Sequence, residues 1–408
     1  MTTPISAPVE RPRIPREIWV LVASAFVIAL GFGLITPVLP QFAKSFGVNT
    51  TSIAVVVSAF AFFRLIFAPV GGRLIGRVGE RPIYLAGLLI VAASTAATAF
   101  AHAYWQLLLF RGLGGIGSVM FTVSATALIV RLAPPSIRGR VSSAYGSAFL
   151  LGGIGGPAVG GALGGLGLRV PFIVYAVALV IAAALVAVFI SGDSLRPKAD
   201  APVLPMMTIR EGLQDSAYRA GLGSGFANGW ANFGVRNAIL PLFIAANIGG
   251  EPWFVGTVLA IYAAGTAVGI NIAGRLSDQR GRRPFIIGGL VVTGLATIAT
   301  GFATNLPVLI VLSIIAGIGA GSLNPAQQAS IADIIGRERN GGPALAGFQM
   351  AADAGAIIGP ILAGVLVDAS TYSVAFAVTG ALSLVAAIPW ARARETLPRE
   401  AVIVNANR

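Results

Sequence analysis

Four ionisable residues lie inside long apolar stretches of this chain: Arg64, Arg111, Arg236 and Asp353. A charge in hydrocarbon is costly, so such residues commonly serve proton transfer or the passage of a polar ligand. Asp353 is the only acid among them and lies about ten residues, or roughly 15 Å, into its stretch. Burial favours its neutral form, and a neighbouring arginine favours its ionised form. We therefore predict that Asp353 takes up and releases protons; a structural ion pair or a helix-terminus contact is the alternative.

Polar residues also recur at helical spacing along one of these stretches. Asn228, Asn232 and Arg236 are four residues apart, which places them on one face of a helix. That face either lines a cavity or bonds to another helix, and the first possibility predicts contact with a ligand. Arg64 is flanked by phenylalanines and either lines the same pathway or reaches the membrane interface.

Composition excludes several classes of chemistry. The chain has no cysteine, so disulfides and thiolate metal sites are excluded, and His102 is its only histidine. The sequence contains no nucleotide-binding loop, no metal-ligand spacing and no pairing of a nucleophile with a base. We therefore expect no cofactor, no metal and no enzymatic activity. A sensor that does not transport would normally carry a soluble domain, for which the tails are too short.

The elements that must position these residues are membrane helices. Hydrophobic residues make up 56% of the chain and charged residues 11%, whereas soluble domains carry about a quarter charged residues. About twelve apolar runs can cross the roughly 30 Å hydrocarbon layer, and backbone in lipid must be helical. The predicted spans are 18–40, 52–71, 83–101, 104–130, 141–164, 170–191, 218–245, 252–273, 285–304, 306–326, 343–366 and 372–391.

The net charge of +13 does not indicate nucleic-acid binding, because of where the basic residues lie. With a cytoplasmic N-terminus, 23 of the 28 fall in the tails or in connections on that side, which is the positive-inside pattern. Arginine far outnumbers lysine, which favours a GC-rich bacterial genome. We expect a multi-pass protein of the bacterial plasma membrane with both termini in the cytoplasm. The predicted segments are a tail (1–17), a six-helix bundle (18–191), a linker (192–217), a second bundle (218–392) and a tail (393–408).

The chain contains an internal duplication. GRLIGRVGERP at 72–82 returns as GRLSDQRGRRP at 274–284, and GIGS at 115–118 returns as GIGA at 317–320. GGPAVGG at 155–161 similarly matches IGPILAG at 358–364. Six spans per copy is an even number, so both copies insert in the same orientation around an axis along the membrane normal. We therefore predict an all-α fold with twelve transmembrane helices in two pseudo-symmetric six-helix bundles.

These motifs resemble those of the major facilitator superfamily over the whole chain, in particular its twelve-helix drug:proton antiporters. Residues 274–283 match the loop 2–3 signature G-x-L-a-D-r-x-G-r-r, whereas the first copy has Gly76 in place of the acid and Glu80 in place of a base. Arg111 with Gly115 and Gly117 matches the helix-4 signature. The helix-5 signature of the exporters, g-x-x-x-G-P-x-x-G-G, is complete at 152–161.

The helix-5 signature has a physical meaning of its own. Gly152, Gly156 and Gly160 form one helix face on which another backbone can pack closely. Pro157 removes a backbone donor and is expected to bend the helix. Such a helix can pack tightly in one state and rock in another, although ordinary close packing is the alternative.

By the resemblance, loop 2–3 contacts helix 11 and stabilises the outward-open state. Glu80 with Arg77 or Arg81 would replace the missing acid in the first copy, and Asp278 would pair with Arg280, Arg282 or Arg283 in the second. We expect the weaker latch in the first half; charge that only sets topology is the alternative. The predicted gating residues are Gly72, Arg77, Glu80, Arg81, Gly152, Gly156, Pro157, Gly160, Gly161, Gly274, Asp278, Gly281, Arg282 and Arg283.

The resemblance also implies that Arg111 influences proton transfer; a packed arginine bonded to carbonyls of neighbouring helices is the alternative. The acid that many such antiporters carry in helix 1 is absent from residues 18–40. Proton coupling is therefore predicted to involve Asp353 and Arg111.

The expected cargo is lipophilic or amphipathic, because few acids accompany the apolar residues of the presumed cavity. The predicted substrate-binding residues are Phe32, Phe60, Phe63, Arg64, Asn228, Trp230, Asn232, Arg236 and Tyr262. We predict a secondary exporter that works by alternating access and proton antiport; an importer or facilitator of a small nutrient is the alternative, against which the helix-5 signature speaks. The expected partners are a small-molecule substrate, protons and the lipid bilayer, with no nucleic acid, and the family is usually monomeric.

Overall fold

The computed structural model describes residues 14–133, 137–190, 205–336, 339 and 341–397, and helices dominate them. The predicted N-terminal tail up to residue 13, the first half of the linker (192–204) and the C-terminal tail from residue 398 lie outside this part of the chain. The first half contains α1 (Arg16–Ile35), α2 (Leu39–Lys44), α3 (Thr50–Val78), α4 (Glu80–Ala99), α5 (Tyr104–Leu132), α6 (Arg138–Gly164) and α7 (Val170–Phe189).

The second half begins with a short helix, α8 (Ile209–Gly212), and then repeats the pattern. Its elements are α9 (Ser216–Asn228), a π-helical segment (Gly229–Val235), α10 (Arg236–Ala238), α11 (Leu240–Asn247), α12 (Pro252–Arg280), α13 (Arg283–Thr300), α14 (Leu306–Ile335), α15 (Gly342–Ala369) and α16 (Tyr372–Arg392). Eleven helices in the described residues are long and apolar enough to cross a membrane.

The seventh predicted span, 218–245, is a succession of four pieces rather than one continuous helix. The π-helical segment begins and ends near Gly229 and Gly234, and Pro241 stands at the start of α11. Glycine lowers the cost of departing from the α-helix, and proline cannot continue the hydrogen-bond ladder. The break therefore falls in the middle of the span, next to the polar stripe at Asn228, Asn232 and Arg236.

Helix packing repeats between the halves at positions related by the sequence duplication. A Cβ atom on Gly115 would lie 2.3 Å from the carbonyl oxygen of Phe60, and one on Gly317 would lie 2.3 Å from that of Tyr262. Both pairs are separated by the repeat offset of 202 residues. The second copy thus uses the same glycine to bring the same two helices together, as the two pseudo-symmetric bundles require.

The loops that carry the duplicated arginine motif also fold alike. Gly79 has φ of +95° and Gly281 has φ of +100°. This left-handed region is one that other residues rarely adopt, so glycine is required for the turn into the following helix. The turn sets the first residues of α4 and α13 at the end of the molecule where the described chain begins, at residue 14, and ends, at residue 397; this end is here called the termini end.

Candidate functional site

The two halves meet along two seams at the opposite end of the molecule, here called the distal end. In the α3–α15 seam, the Ser58 hydroxyl donates to the Ile357 carbonyl at 2.8 Å, and a Cβ on Gly364 would lie 2.9 Å from Cα of Thr51. In the α6–α12 seam, a Cβ on Gly161 would lie 2.9 Å from Cα of Gly256. Hydrogen bonds of Thr50 and Thr51 to the second half also lie at this end. The cleft between the halves is therefore closed distally and opens towards the termini end.

The helix-5 glycines pack against two different helices. Cβ atoms on Gly152, Gly156 and Gly160 would lie 2.3–2.5 Å from carbonyl oxygens of α1, so this face is packed against the backbone of α1. Gly161 instead faces α12 in the other half. The helix α6 runs without interruption through Pro157, whose carbonyl oxygen would lie 2.5 Å from a Cβ on Gly256. The signature therefore lies both inside its own bundle and at the seam.

The matching residues of the second half have the same two roles. A Cβ on Gly355 would lie 2.0 Å from the carbonyl oxygen of Phe226, and Gly359 packs on Trp230. Gly364, which corresponds to Gly161, faces α3 across the other seam. Each seam thus contains one glycine from the duplicated motif, and neither position has room for a larger side chain.

A second contact closes the α3–α15 seam. The Asp368 carboxylate accepts hydrogen bonds from the backbone amides of Thr50 (3.0 Å) and Thr51 (2.9 Å) and from the Thr51 hydroxyl (2.6 Å). Asp368 is the last acid of α15, and Thr50 is the first residue of α3. The carboxylate therefore caps a helix that belongs to the other half, where the helix dipole favours a negative charge. Sequence analysis missed this residue because it lies just beyond the predicted eleventh span.

In the first half, Arg111 of α5 stacks on an aromatic ring of α3. Its guanidinium carbon lies 4.8 Å from the centroid of the Phe60 ring, and Phe60 contacts Phe32 at 5.9 Å between centroids. Arg111 is buried, and its Nε has no hydrogen-bond partner. Phe63 packs against Gly112 on the same helix pair, and Arg64 is partly exposed. The structure thus brings four of the predicted residues together with Arg111.

The second-half wall contains a connected polar network. The Tyr262 hydroxyl donates to Oδ1 of Asn232 at 2.6 Å, Nδ2 of Asn232 donates to Oδ1 of Asn228 at 2.5 Å, and Nδ2 of Asn228 donates to Oδ1 of Asn324 at 2.8 Å. Three helical spans contribute to it, so the asparagines of the stripe form interhelical bonds. Tyr262 and Asn324 are half-buried, whereas Asn228 and Asn232 are buried. Asn324 was missed by sequence analysis because a lone asparagine gives no periodic signal.

Arg236 lies beside the Tyr262 end of this network. Its guanidinium carbon is 3.8 Å from the centroid of the Tyr262 ring, close enough for a cation–π contact. Tyr262 corresponds to Phe60 at the repeat offset, so each half stacks one buried arginine on the same aromatic position. The two arginines, however, come from non-equivalent helices. This likeness is invisible in the sequence because only the aromatic partner repeats.

Trp230 lies in the apolar core of the second half. Its side chain is 7% exposed, its indole Nε1 donates to the Thr379 hydroxyl at 3.1 Å, and it packs in the apolar core of the second half. The π-helical segment turns the ring towards α15 and α16, and contact of Trp230 with substrate stays a prediction. The glycine at 359 provides the space that the indole fills.

Asp353 lies on α15, about 16 Å from its first residue at 1.5 Å per residue. Its carboxylate accepts a hydrogen bond from Nε2 of Gln349, one turn earlier, at 3.0 Å. The salt bridges of the described residues do not include it. The residue is partly exposed, so its carboxyl is not sealed inside the packed helices.

The second copy of the loop motif forms a closed cluster at the termini end. Arg282 pairs with Asp278 and, at 3.2 Å, with Asp333 of α14. The Glu395 carboxylate accepts hydrogen bonds from the backbone amides of Arg282 (2.9 Å) and Arg283 (3.1 Å). Burial raises the pKa of Glu395, but these and neighbouring amides outweigh it and hold the pKa below its ordinary value. Of the three partners predicted for Asp278, the structure selects Arg282.

The first copy is held differently from the prediction. Glu80 pairs with Nε of Arg131 on α5 at 2.9 Å, while Arg81 donates to the carbonyl of Ala187 at 2.7 Å. Glu80 and Arg81 are adjacent on a helix and point about 100° apart, since one turn holds 3.6 residues. The expected pairing of Glu80 with Arg77 or Arg81 is therefore replaced by a tie between α4 and α5. The contacts named here for both loop clusters join helices of the same half.

Comparison with known proteins shows the relationship directly. Residues 21–208 and 221–406 match the sequence profile of the Major Facilitator Superfamily. Multidrug resistance protein 2 of Bacillus subtilis (strain 168) is 27% identical over 361 residues, covering 86% of this chain and 88% of that protein. Quinolone resistance protein NorA of Staphylococcus aureus (strain Mu50 / ATCC 700699) is 33% identical over 161 residues, covering 38% of this chain and 40% of that protein.

A solved structure shares the fold. The bacterial homolog of the human lysosomal transporter Spinster, in an inward-facing and unoccupied conformation, superposes with a TM-score of 0.77. The match covers 97% of this chain and 99% of that one at 18% sequence identity. At this identity the likeness establishes the two-bundle architecture.

Proposed function

The chain belongs to the Major Facilitator Superfamily, a family of membrane transporters rather than enzymes, and from this premise we propose that it exports lipophilic and amphipathic small molecules by alternating access. The observation that carries the proposal is the pair of distal seams. The complete helix-5 signature places Gly161 where any side chain would separate the halves. The similarity to proteins named for multidrug and quinolone resistance supports export as the direction.

Because the cleft between the halves is closed at the distal end, the order of steps in the transport cycle can be stated. With the termini in the cytoplasm, as the positive-inside pattern favours, the cleft accepts cargo from the cytoplasm. Closing the termini end and parting the two seams would then expose the same cleft to the outside. Phe32, Phe60, Phe63 and Tyr262 offer aromatic surface for an apolar cargo, and Arg64 adds a cation midway along α3.

Orientation can be measured directly because the chain has no cysteine. Gln279→Cys introduces a thiol at an exposed position of the termini end, and Thr304→Cys does so at the distal end. A membrane-impermeant maleimide added to intact bacteria should label only Thr304→Cys. Labelling of Gln279→Cys alone would reverse the orientation and make the cleft open to the outside.

We further propose that export is driven by proton antiport through Asp353. Asp353 lies near the middle of α15, is partly exposed and has no ion pair among the described residues, whereas Asp368 at the end of the same helix is held by the amides of α3. A carboxyl in this position can release its proton to whichever side the cleft faces. Arg111, buried in the opposite wall, supplies a fixed positive charge that would favour the ionised form as the halves close.

The test uses everted membrane vesicles, with a lipophilic fluorescent dye added to the external medium. Acidifying the lumen should drive dye inward, and a protonophore should abolish this uptake. Asp353→Asn should lower gradient-driven uptake by at least about tenfold, while downhill dye exchange continues, because general proton transfer typically contributes factors of that size or more.

The matched control is Glu251→Gln, which removes an exposed carboxylate from the same half. It should retain gradient-driven uptake. Gradient-driven uptake that survives in Asp353→Asn would refute the assignment of the proton carrier. Uptake that occurs only in right-side-out vesicles would refute export and favour an importer.

A further inference from the structure

Arg236 is a permanent positive charge that the protein itself does not neutralise. It is 6% exposed, and its Nε has no hydrogen-bond partner. The salt bridges formed by the described residues involve Arg131, Arg282, Arg339 and Arg394, but not Arg236. A buried charge without a paired partner is costly, and the ring of Tyr262 offsets only part of that cost.

The position of Arg236 connects this charge to the closed seam. The segment Arg236–Ala238 packs against α3 of the other half, and Val57 of α3 contacts the apolar core that includes Ala238. Arg236 lies eleven residues, or about 17 Å, from the distal end of its span at Asn247, and so lies beneath the seams. Closure of the distal end thus holds α3 against the segment that carries Arg236, and parting of the halves would open this side of the segment to water.

A polar path leads to Arg236 from the open part of the cleft. Asn324 and Tyr262 are half-buried, and they are joined by bonds through Asn228 and Asn232, which are four residues or about 6 Å apart on the helix. These side chains can bond to a polar head group at successive depths. None of them carries a negative charge that would compete for the guanidinium.

We propose that Arg236 binds a negatively charged oxyanion of the cargo, so that amphipathic carboxylates are the preferred substrates of the export proposed above, on which this inference rests. The carboxylate pairs with Arg236 beneath the closed seam, and the apolar body of the cargo lies against the aromatic residues of the facing wall. In the desolvated site the ion pair is strong, and it weakens when the seams part and water enters. The cargo therefore binds while the seams are closed, and it is released to the other side once they part.

The test compares three probes that share one apolar body: 1-pyrenebutyrate, its neutral carboxamide, and 1-pyrenebutylamine. Binding to the purified full-length chain is measured by fluorescence anisotropy in detergent. The wild-type chain should bind the carboxylate about tenfold more tightly than the carboxamide, since a hydrogen bond to a charged group is worth a factor of this order. The amine should bind most weakly.

Three variants assign the preference to one residue. Arg236→Gln should reduce the carboxylate-to-carboxamide ratio to near one while leaving carboxamide affinity unchanged, which also reports that the protein is folded. Arg236→Lys should retain part of the preference, because the charge remains but its fork of donors does not. Arg169→Gln removes an exposed arginine of the distal end and should leave the ratio unchanged.

The proposal is overturned if Arg236→Gln keeps the ratio, if it weakens all three probes equally, or if the wild-type chain does not bind the carboxylate preferentially. Transport of the same probes in vesicles separates this inference from the proposed function. Export of the carboxamide without a carboxylate preference would leave export standing and refute the Arg236 site. A carboxylate preference that depends on Arg236, together with transport into the cell, would support the Arg236 site and refute export.

Discussion

The Asp368 cap should set how much of the protein is closed at the distal end. Replacing Asp368 by alanine removes all three hydrogen bonds to Thr50 and Thr51. Loss of a helix N-cap costs about 0.5–2 kcal/mol, and loss of a charge at a helix N-terminus costs about 0.3–1 kcal/mol. The sum is about 0.8–3 kcal/mol, and because the contact is partly exposed to solvent, we take a value from its lower half, about 1–1.5 kcal/mol. The ratio of distally closed to distally open protein should therefore fall about five- to tenfold.

Distances between paired spin labels can measure this ratio, since every cysteine in the experiment is an introduced one. Lys44→Cys with Thr304→Cys reports on the distal end, and Val78→Cys with Gln279→Cys reports on the termini end; all four positions are exposed. In Asp368→Ala, the distal pair should gain a longer distance and the termini-end pair a shorter one. Thr51→Val, which loses only the hydroxyl bond, should give a smaller change in the same direction.

Glu251→Gln is the matched control, because Glu251 is an exposed acid at the distal end and no side-chain hydrogen bond of it is described. It should leave both distance distributions unchanged. The reasoning is refuted if Asp368→Ala changes the ratio by less than about twofold, or if the distal end becomes more closed. An equal change in Glu251→Gln would show that general surface charge, and not the cap, sets the balance.

Three further predictions concern the seam, the network and the termini-end cluster. Gly161→Val should shift the same spin-label distances towards the distally open form by about 1–3 kcal/mol, the usual cost of overpacking, whereas Gly153→Val on the same helix, with open space around it, should not. Tyr262→Phe leaves the Asn232 oxygen without its 2.6 Å bond and should lower the free energy of unfolding by about 1–3 kcal/mol; an unchanged melting temperature would contradict this. Because Glu395 has a lowered pKa in the folded protein, its contribution to stability is present at neutral pH and is lost as the pH falls through roughly 4 and below. Glu395→Gln should thus lower the melting temperature at pH 7 and reduce its acid dependence, and a variant that keeps the full acid dependence would exclude this carboxyl as the cause.

The parts of the fold that repeat were predictable from the sequence. Duplicated motifs with fixed spacing predicted two like bundles, and glycines four residues apart predicted close helix packing, because both depend only on local geometry. The helix-5 signature accordingly has the tight packing that its spacing indicates. What spacing alone could not tell was that Gly161 and Gly364 turn away from their own bundles and form the seams.

The contacts that depend on tertiary structure were not predictable in the same way. Glu80 was expected to pair along the chain but pairs with Arg131 of the neighbouring helix. The Asp368 cap joins residues more than 300 positions apart, and no pattern near either residue indicates the other. The π-helical segment at 229–235 has only weak local signals, yet it decides that Trp230 enters the core and that Arg236 meets Tyr262.

The four helices that form the seams are longer than four of the other spans. The four seam helices, α3, α6, α12 and α15, have 27–29 residues, or about 40–44 Å. The helices α4, α7, α13 and α16 have 18–21 residues, or about 27–32 Å, close to the hydrocarbon thickness. The ends of the seam helices therefore stand in the headgroup layer, with Asp368 and Thr50 among them. It follows that headgroup charge and ionic strength, more than acyl-chain composition, should tune how long each access state lasts.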